Sequence, residues 1–412
     1  MAEHKEGNKA EMDLEAKQLQ LHWLLQITKA INYNLPSSNL FDIYKTVLQQ
    51  HLKVSRLLLF VNEEFWQTPV SFGIEGELPF TSAEEAVTSI RHYVDHSGKG
   101  ATWVTEFDTV VPVIHQDRPL AYALIDLPDE NVFHSSRETV SYIHTITNLI
   151  VVAIENKRLA KESIRQAAVQ RELELAAQMQ SMLFPSNLVT HSFVDIAATY
   201  IPHQSVGGDY YDFIPLNDDE ALVCMADVSG KGISAALLMS NFQANLHALV
   251  RHSTTDPAKL VTELNDCVNR SAQGEKFITF FIARVNRRNA TIEYVNAGHN
   301  PPVLVYQNQV TILDQGTTGL GMFELLPFLH KGKADFKPGS LLFCYTDGIT
   351  EMENSHGHVF GTDLLHELLK SHDTVQNMEA LHHSLVKSFN EFRAEVAFND
   401  DVTFLSLRNT HH

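Results

Sequence analysis

Ala221 to Met239 reads A-L-V-C-M-A-D-V-S-G-K-G-I-S-A-A-L-L-M, and the fold of the second half of the chain turns on how this stretch is read. Apolar residues carry the chain as a strand to Asp227, small residues turn it, and from Ile233 the grouping of Ala235, Ala236, Leu237 and Leu238 predicts a helix. An acid is thereby placed at the edge of a core. A carboxylate there is costly to bury unless a cation pairs with it, and hard divalent ions suit oxygen ligands. Taken alone, Asp227 is better read as a turn residue ahead of Gly230.

The same arrangement recurs three times. Val206-Gly207-Gly208-Asp209-Tyr210-Tyr211-Asp212 puts Asp209 after two glycines, Leu341 to Tyr345 is an apolar strand running into Thr346-Asp347-Gly348, and Asn399-Asp400-Asp401-Val402 puts Asp400 at a strand start. One Asp-Gly is a hairpin signal and nothing more. Four carboxylates at strand mouths within about two hundred residues predict one acidic pocket that needs divalent cations to hold its charge.

These segments also carry a resemblance. V-G-G-D-Y-Y-D, A-D-V-S-G-K-G-I-S-A-A-L-L-M, N-A-G-H-N-P-P (Asn296 to Pro302), Y-T-D-G-I-T-E (Tyr345 to Glu351) and N-D-D-V-T (Asn399 to Thr403) follow the order and spacing of the metal-dependent PPM (type 2C-like) serine/threonine phosphatases. They resemble the bacterial SpoIIE/RsbU-type branch, over roughly residues 190 to 409. The resemblance implies an α+β fold, with an α/β/β/α sandwich carrying two Mn²⁺ or Mg²⁺ ions at one edge. It implies that Asp227 bridges both ions with the Val228 carbonyl as a further ligand. Asp347 and Asp400 would hold one ion, and Asp209 would reach the other directly or through water. Water attacks phosphorus in such a site, so no side-chain nucleophile is required.

Four neighbours are less secure, with Lys231 and His299 as second-rank candidates. Asp212 and Asp401 adjoin the presumed ligands and read equally as turn-orienting acids. Lys231 is placed to meet a substrate phosphate, or is simply solvated; His299 is a proton donor or the brace of a turn. The eukaryotic members use an arginine near the first aspartate, whereas Ile201-Pro202-His203-Gln204-Ser205 contains none. Phosphate recognition must then lean on the metals.

Composition narrows the partners. Fifty acidic against thirty-one basic residues leave a net charge of -19 over 412 residues, which disfavours nucleic acid and anionic membrane surfaces. Cys224, Cys267 and Cys344 are widely separated and form neither a disulfide framework nor a thiolate metal site. The polar N-terminal sequence carries no hydrophobic signal region, and the apolar run Leu149 to Ile154 is too short to span a bilayer. A cytoplasmic protein is expected.

After a polar segment (1–19), helical patterns at Leu19 to Ile31 and Leu40 to Leu52, a strand at Ser55 to Val61 and a hairpin at Val110 to Ile125 resemble a GAF-type sensory domain over about 20–155. Trp66, Phe72, Phe80 and Trp103 read as its core in preference to a ligand pocket. From about Ser135 to Leu183 no proline or glycine interrupts a helical pattern, and the linker 156–185 leads to a catalytic domain at 186–409. Seven-residue stripes (Ala168, Leu175, Met182; Val169, Ala176, Leu183) favour a homodimeric coiled coil over a helix lying on its own domain.

The expected activity is hydrolysis of phosphoserine or phosphothreonine on a regulatory protein, of the anti-sigma-antagonist kind used in partner switching. A small-molecule or protein activator would act on the N-terminal domain. Two rivals stand beside it: a catalytically inactive scaffold, and a nucleotide-binding module suggested by Gly230-Lys231-Gly232-Ile233-Ser234-Ala235, which fits G-x-G-x-x-A between strand and helix.

Overall fold

The computed structural model describes residues 2–76, 78–96, 98, 102–127, 136–185, 188, 194–373, 375 and 377–410. The chain divides into two compact units, 1–168 and 169–412.

In the first unit, α1 (Ala2–Asn32) and α2 (Ser37–Thr46, continued by a π turn at Val47–His51) precede β1 (Leu57–Asn62) and β2 (Trp66–Phe72). Then come α3 (Ala83–Asp95), a 3₁₀ turn (Thr102–Glu106), β3 (Thr109–His115), β4 (Arg118–Ile125) and the start of α4 (Ser136–Ser181). The strands form one antiparallel sheet in the order β2-β1-β4-β3. Gln116 and Asp117 both have positive φ, as a two-residue turn matched to strand twist requires. Side chains on β1 alternate between two cores. Leu57, Leu59 and Val61 pack with α1, α2 and Ile143, Ile146, Ile150 and Ile154 of α4, whereas Leu58 and Phe60 face α3. Trp66, Phe80 and Trp103 fill the α3 side with Phe60 and Tyr122, and Phe72 packs on the other side. The four aromatics are core. The sequence reading passed over α3, although Ser82 and Glu85 cap it: the Ser82 hydroxyl accepts from the Glu85 amide, and the Glu85 carboxylate accepts from the Thr81 amide.

The helix expected from Ser135, a residue outside those described, runs from Ser136 to Ser181, and the division between the units falls inside it. In its last turns Leu173, Ala177, Gln180 and, just beyond, Phe184 are the least exposed, at the i, i+4, i+7, i+11 spacing of one helical face. Ala168, Val169, Leu175, Ala176 and Met182 are exposed, Met182 to 80%. The seven-residue stripes therefore lie largely off the face that packs on the second unit.

The second unit continues with β5 (Val194–Ile201), β6 (Tyr210–Asn217), β7 (Glu220–Val228), α5 (Ile233–His252), α6 (Pro257–Ala272), β8 (Ile278–Asn286) and β9 (Thr291–Ala297). Short strands β10 (Val303–Tyr306), β11 (Gln309–Ile312), β12 (Gly316–Thr317) and β13 (Gly332–Asp335) follow. The unit closes with β14 (Leu341–Tyr345), α7 (Asp347–Thr350), α8 (Gly361–Ser371), α9 (Met378–Arg393) and β15 (Val402–Asn409). One sheet has the order β11-β10-β14-β15-β5, the other β12-β9-β8-β7-β6 with β13 on β9. Period-two alternation on β14 builds the layers: Leu342 and Cys344 point to the core shared with the other sheet, α5 and α6, while Leu341, Phe343 and Tyr345 point to α8 and α9. This is the expected α/β/β/α sandwich.

The nucleotide-binding rival fails here. Its fingerprint belongs to a parallel β-α-β unit, whereas β7 pairs antiparallel with both β6 and β8 and two helices intervene before β8. Among the described residues, no helix is long and apolar enough to cross a membrane.

Candidate active site

Asp227 sits one residue from the end of β7, where its register partner is Thr279 of β8. It is half-buried, its carboxyl is hydrogen-bonded by Asp209, and it feels the charges of Asp347, Asp400 and Asp401. Burial first, then Asp347 and the two other carboxylates, pushes it up to about 7. The four predicted acids therefore do meet.

Asp209 is buried. Its Oδ2 accepts from Thr346 Oγ1 at 2.9 Å and from Thr403 Oγ1. Burial, with the charge of Asp227 second, holds it well above the usual carboxylate range. Asp347 begins α7 directly after β14, and burial, then Glu351 and Asp400, raises it as well. Asp400 is partly exposed and pairs with Lys231 Nζ at 2.8 Å. One cluster thus holds far more acid than base, and desolvation and mutual repulsion together disfavour the charged forms of Asp209, Asp227 and Asp347.

The two glycines before Asp209 permit close approach. A Cβ on Gly208 would lie 2.9 Å from the Val228 carbonyl oxygen, and one on Gly207 would overlap the Asp401 carboxylate and the Tyr200 hydroxyl. Asp401 is buried and spent on backbone: its Oδ1 accepts from the His203 amide at 2.8 Å and its Oδ2 from the Gly208 amide at 3.0 Å. Asp212 points elsewhere. Its Oδ2 accepts from Tyr210 Oη at 2.6 Å and contacts His247 Nε2 of α5 at 2.7 Å. Both of these neighbouring acids thus make hydrogen bonds within the unit that orient their turns. His299 is buried with Nδ1 2.9 Å from Thr279 Oγ1, and burial lowers it to about 4, so it stays neutral and braces the strand opposite Asp227.

The donor set is all oxygen, which suits a hard cation, and the missing side chain of Gly208 lets its turn pass close to the Val228 carbonyl. Among the described residues, no three acid, imidazole or thiol side chains converge tightly enough to cage an ion. A small octahedral cation does not ask for that, because it keeps several waters and takes one or two carboxylates plus substrate phosphate.

Three groups escaped the sequence reading. Thr346 and Thr403 fix Asp209, and Gln180 is joined to Gly207 in both directions: its Nε2 donates to the Gly207 carbonyl at 2.8 Å and its Oε1 accepts from the Gly207 amide at 3.3 Å. Gln180 is 6% exposed, a polar residue on the otherwise apolar inward face of α4. That lone amide at helical spacing was the available signal.

Residues 217–410 match the sequence model of the family described as Stage II sporulation protein E (SpoIIE). That segment is similar to the SpoIIE family over slightly less than half of the chain. The chain is 29% identical over 248 residues to the phosphoserine phosphatase RsbU of Bacillus subtilis, covering 59% of this chain and 71% of that protein. It is 30% identical over 212 residues to the phosphoserine phosphatase RsbP of the same organism, covering 49% of each. The solved SiaA-PP2C domain of Pseudomonas aeruginosa superposes with a TM-score of 0.53 at 22% identity, over 59% of this chain and 98% of that one, so the folds agree. These likenesses make the second unit a phosphatase domain, similar to a family that is metal-dependent. Asp227, Asp347 and Asp400 fall inside the matched segment; Asp209 and Gln180 precede it.

Beside this site, Leu173, His203, Gln204, Ser205, Val206, Gly232 and Ile233 line a groove of about 580 Å³ within the second unit. It contains no arginine, in keeping with the absence of one from 201–205. The groove lining has no lysine, arginine, aspartate or glutamate side chain.

Proposed function

We propose that this protein hydrolyses phosphoserine or phosphothreonine on a regulatory protein of a partner-switching system, using two Mn²⁺ or Mg²⁺ ions. Asp227 carries the reading, because it stands at a strand end beside Asp209, Asp347 and Asp400 with its carboxyl raised to about 7 by burial and their charges. Asp209, Asp227, the Val228 carbonyl, Asp347 and Asp400 would hold the ions. Ions held there would supply the chemistry of an activated water and of charge neutralisation at the phosphoryl group. The chain's own part is to fix the acids: Thr346 and Thr403 hold Asp209, the Gly208 amide and Asp401 hold the turn before it, and His299 and Thr279 brace β8 beside Asp227. With no arginine for phosphate, small phosphoesters bind weakly and a protein surface supplies affinity.

The N-terminal unit acts as a GAF-like sensor for a small-molecule or protein activator, with α4 as its output. Support comes from the unbroken helix and from Gln180, which ties the helix end to the turn preceding Asp209. The exposed stripes at 168, 175 and 182 suit a homodimer. Three free cysteines, two of them buried, suit a reducing cytoplasm.

Trapping partners on the Asp227→Ala variant tests the substrate class. A retained protein that carries phosphoserine or phosphothreonine, and loses it to the wild type with Mn²⁺, is expected; retention of unphosphorylated proteins alone would contradict the reading.

A further inference from the structure

Lys231 sits at the tip of the loop between β7 and α5, between Gly230 and Gly232, whose φ values of +85° and +75° belong to the left-handed region that favours glycine. That backbone carries the lysine toward the strand start at Asp400. There its Nζ donates to the Asn399 carbonyl at 2.6 Å and contacts Asp400 Oδ2 at 2.8 Å. Among the described residues, this is the one ion pair made by any of Asp209, Asp227, Asp347, Asp400 and Asp401. The ammonium also feels Asp401 and Asp347. A tethered cation thus rests on the carboxylate expected to ligate a metal.

We propose that Lys231 is a displaceable internal counter-ion: it occupies Asp400 when the cluster lacks its ions, and binding of a divalent cation drives it off. This rests on the metal reading above. Both partners are partly exposed, 43% and 36% for their side chains, so the pair is a weak latch that a divalent ion can outcompete. Released, the ammonium stays on its short loop at the edge of the acid cluster, free to meet the phosphate of an arriving substrate. The loop thereby couples metal loading to the appearance of a positive charge in a site without arginine.

The test is Mn²⁺ binding to the full-length protein by calorimetry in low-salt buffer, for wild type, Lys231→Met, Asp400→Asn and the double variant. Lys231→Met should bind Mn²⁺ about two- to fivefold more tightly than wild type, the range set by one exposed ion pair. In the Asp400→Asn background the same substitution should change affinity by less than about 1.5-fold, because the competition acts through Asp400. Lys231→Gln should repeat the Lys231→Met result. Unchanged or weaker affinity in Lys231→Met overturns the proposal, as does a tightening that survives Asp400→Asn, which would mean a general field effect. If wild type itself shows no Mn²⁺ binding, the metal reading fails first and the counter-ion falls with it. If wild type binds and the variants match it, only the counter-ion fails.

Discussion

Gln180 and Gly207 share a two-way hydrogen bond, with the side-chain amide donating to the Gly207 carbonyl at 2.8 Å and accepting from its amide at 3.3 Å. It joins the end of a 46-residue helix to the turn that presents Asp209. Leaving the backbone groups of a buried turn unpaired costs about 1–3 kcal/mol each. Gln180→Ala should therefore raise the Mn²⁺ concentration for half-maximal activity by about tenfold or more, with a nearly unchanged far-UV spectrum. A metal titration identical to wild type would show that the contact carries no signal.

Dimerisation is predicted along the outward face of α4. Val169, Leu175 and Met182 are exposed, and the inward positions Leu173, Ala177 and Gln180 are already used. Light scattering should give a dimer for the full chain and a monomer for residues 186–412. Leu175→Glu should weaken the dimer. Equal mass states per chain would leave the helix a tether.

Metal binding should depend on pH with a definite sign. Without a cation Asp227 stands near 7, raised by burial and its acidic neighbours, so a metal must displace a proton. Mn²⁺ affinity should rise from pH 6 to 8, with proton release detectable as a buffer-dependent binding heat. For the metal-free protein the sign reverses: a carboxyl raised in the folded state stabilises at low pH, and that contribution is lost as pH climbs from about 4 through 7. Affinity flat across this window would contradict the burial argued for Asp227.

Much of this was readable in the sequence, for physical reasons that differ by element. Leu341 to Tyr345 was found with its boundaries because an apolar run is closed by Pro338-Gly339 before it and Asp347-Gly348 after it. The strands between Val303 and Asp335 were missed because they are two to four residues long, too short for period two to register. The acids Asp209, Asp227, Asp347 and Asp400 were visible as strand-end carboxylates. What could not be read was which neighbouring acid turns away. Asp212 shares the Tyr210 side of β6 and meets His247, and Asp401 is claimed by amides from a segment nearly two hundred residues earlier. Such pairings are tertiary facts.

Gly348 shows how tightly the cluster is packed behind Asp347. A Cβ there would overlap the Asp401 backbone carbonyl, which cannot move without shifting the start of β15. Gly348→Ala should cost about 1–3 kcal/mol or more in urea unfolding. It should also weaken Mn²⁺ binding, since Asp347 and Asp400 flank the strain. Wild-type stability would mean the approach is looser than described.

His382 makes a separate, acid-side prediction. It is buried on α9 with Nδ1 2.7 Å from Thr199 Oγ1 and Nε2 2.8 Å from Ser406 Oγ, and burial lowers it to about 3. A histidine depressed in the folded state contributes stability that is present above 6.5 and is lost as pH falls toward 3, at up to about 1.4 kcal/mol per pH unit. Urea midpoints should drop between pH 6.5 and 5 in wild type and drop less in His382→Gln. Parallel pH profiles would remove His382 from the acid response.

The central claim, that the strand-end aspartates work as a metal-dependent phosphatase centre, is tested most directly by phosphate release from a phosphoserine protein in chelator and after Mn²⁺ is restored. Wild type should be silent in EDTA and recover with excess Mn²⁺. Asp227→Ala and Asp347→Asn should each stay at least about a hundredfold slower at saturating Mn²⁺ while keeping a folded far-UV spectrum. Hydrolysis undiminished by chelator, or full turnover by Asp227→Ala, would contradict it.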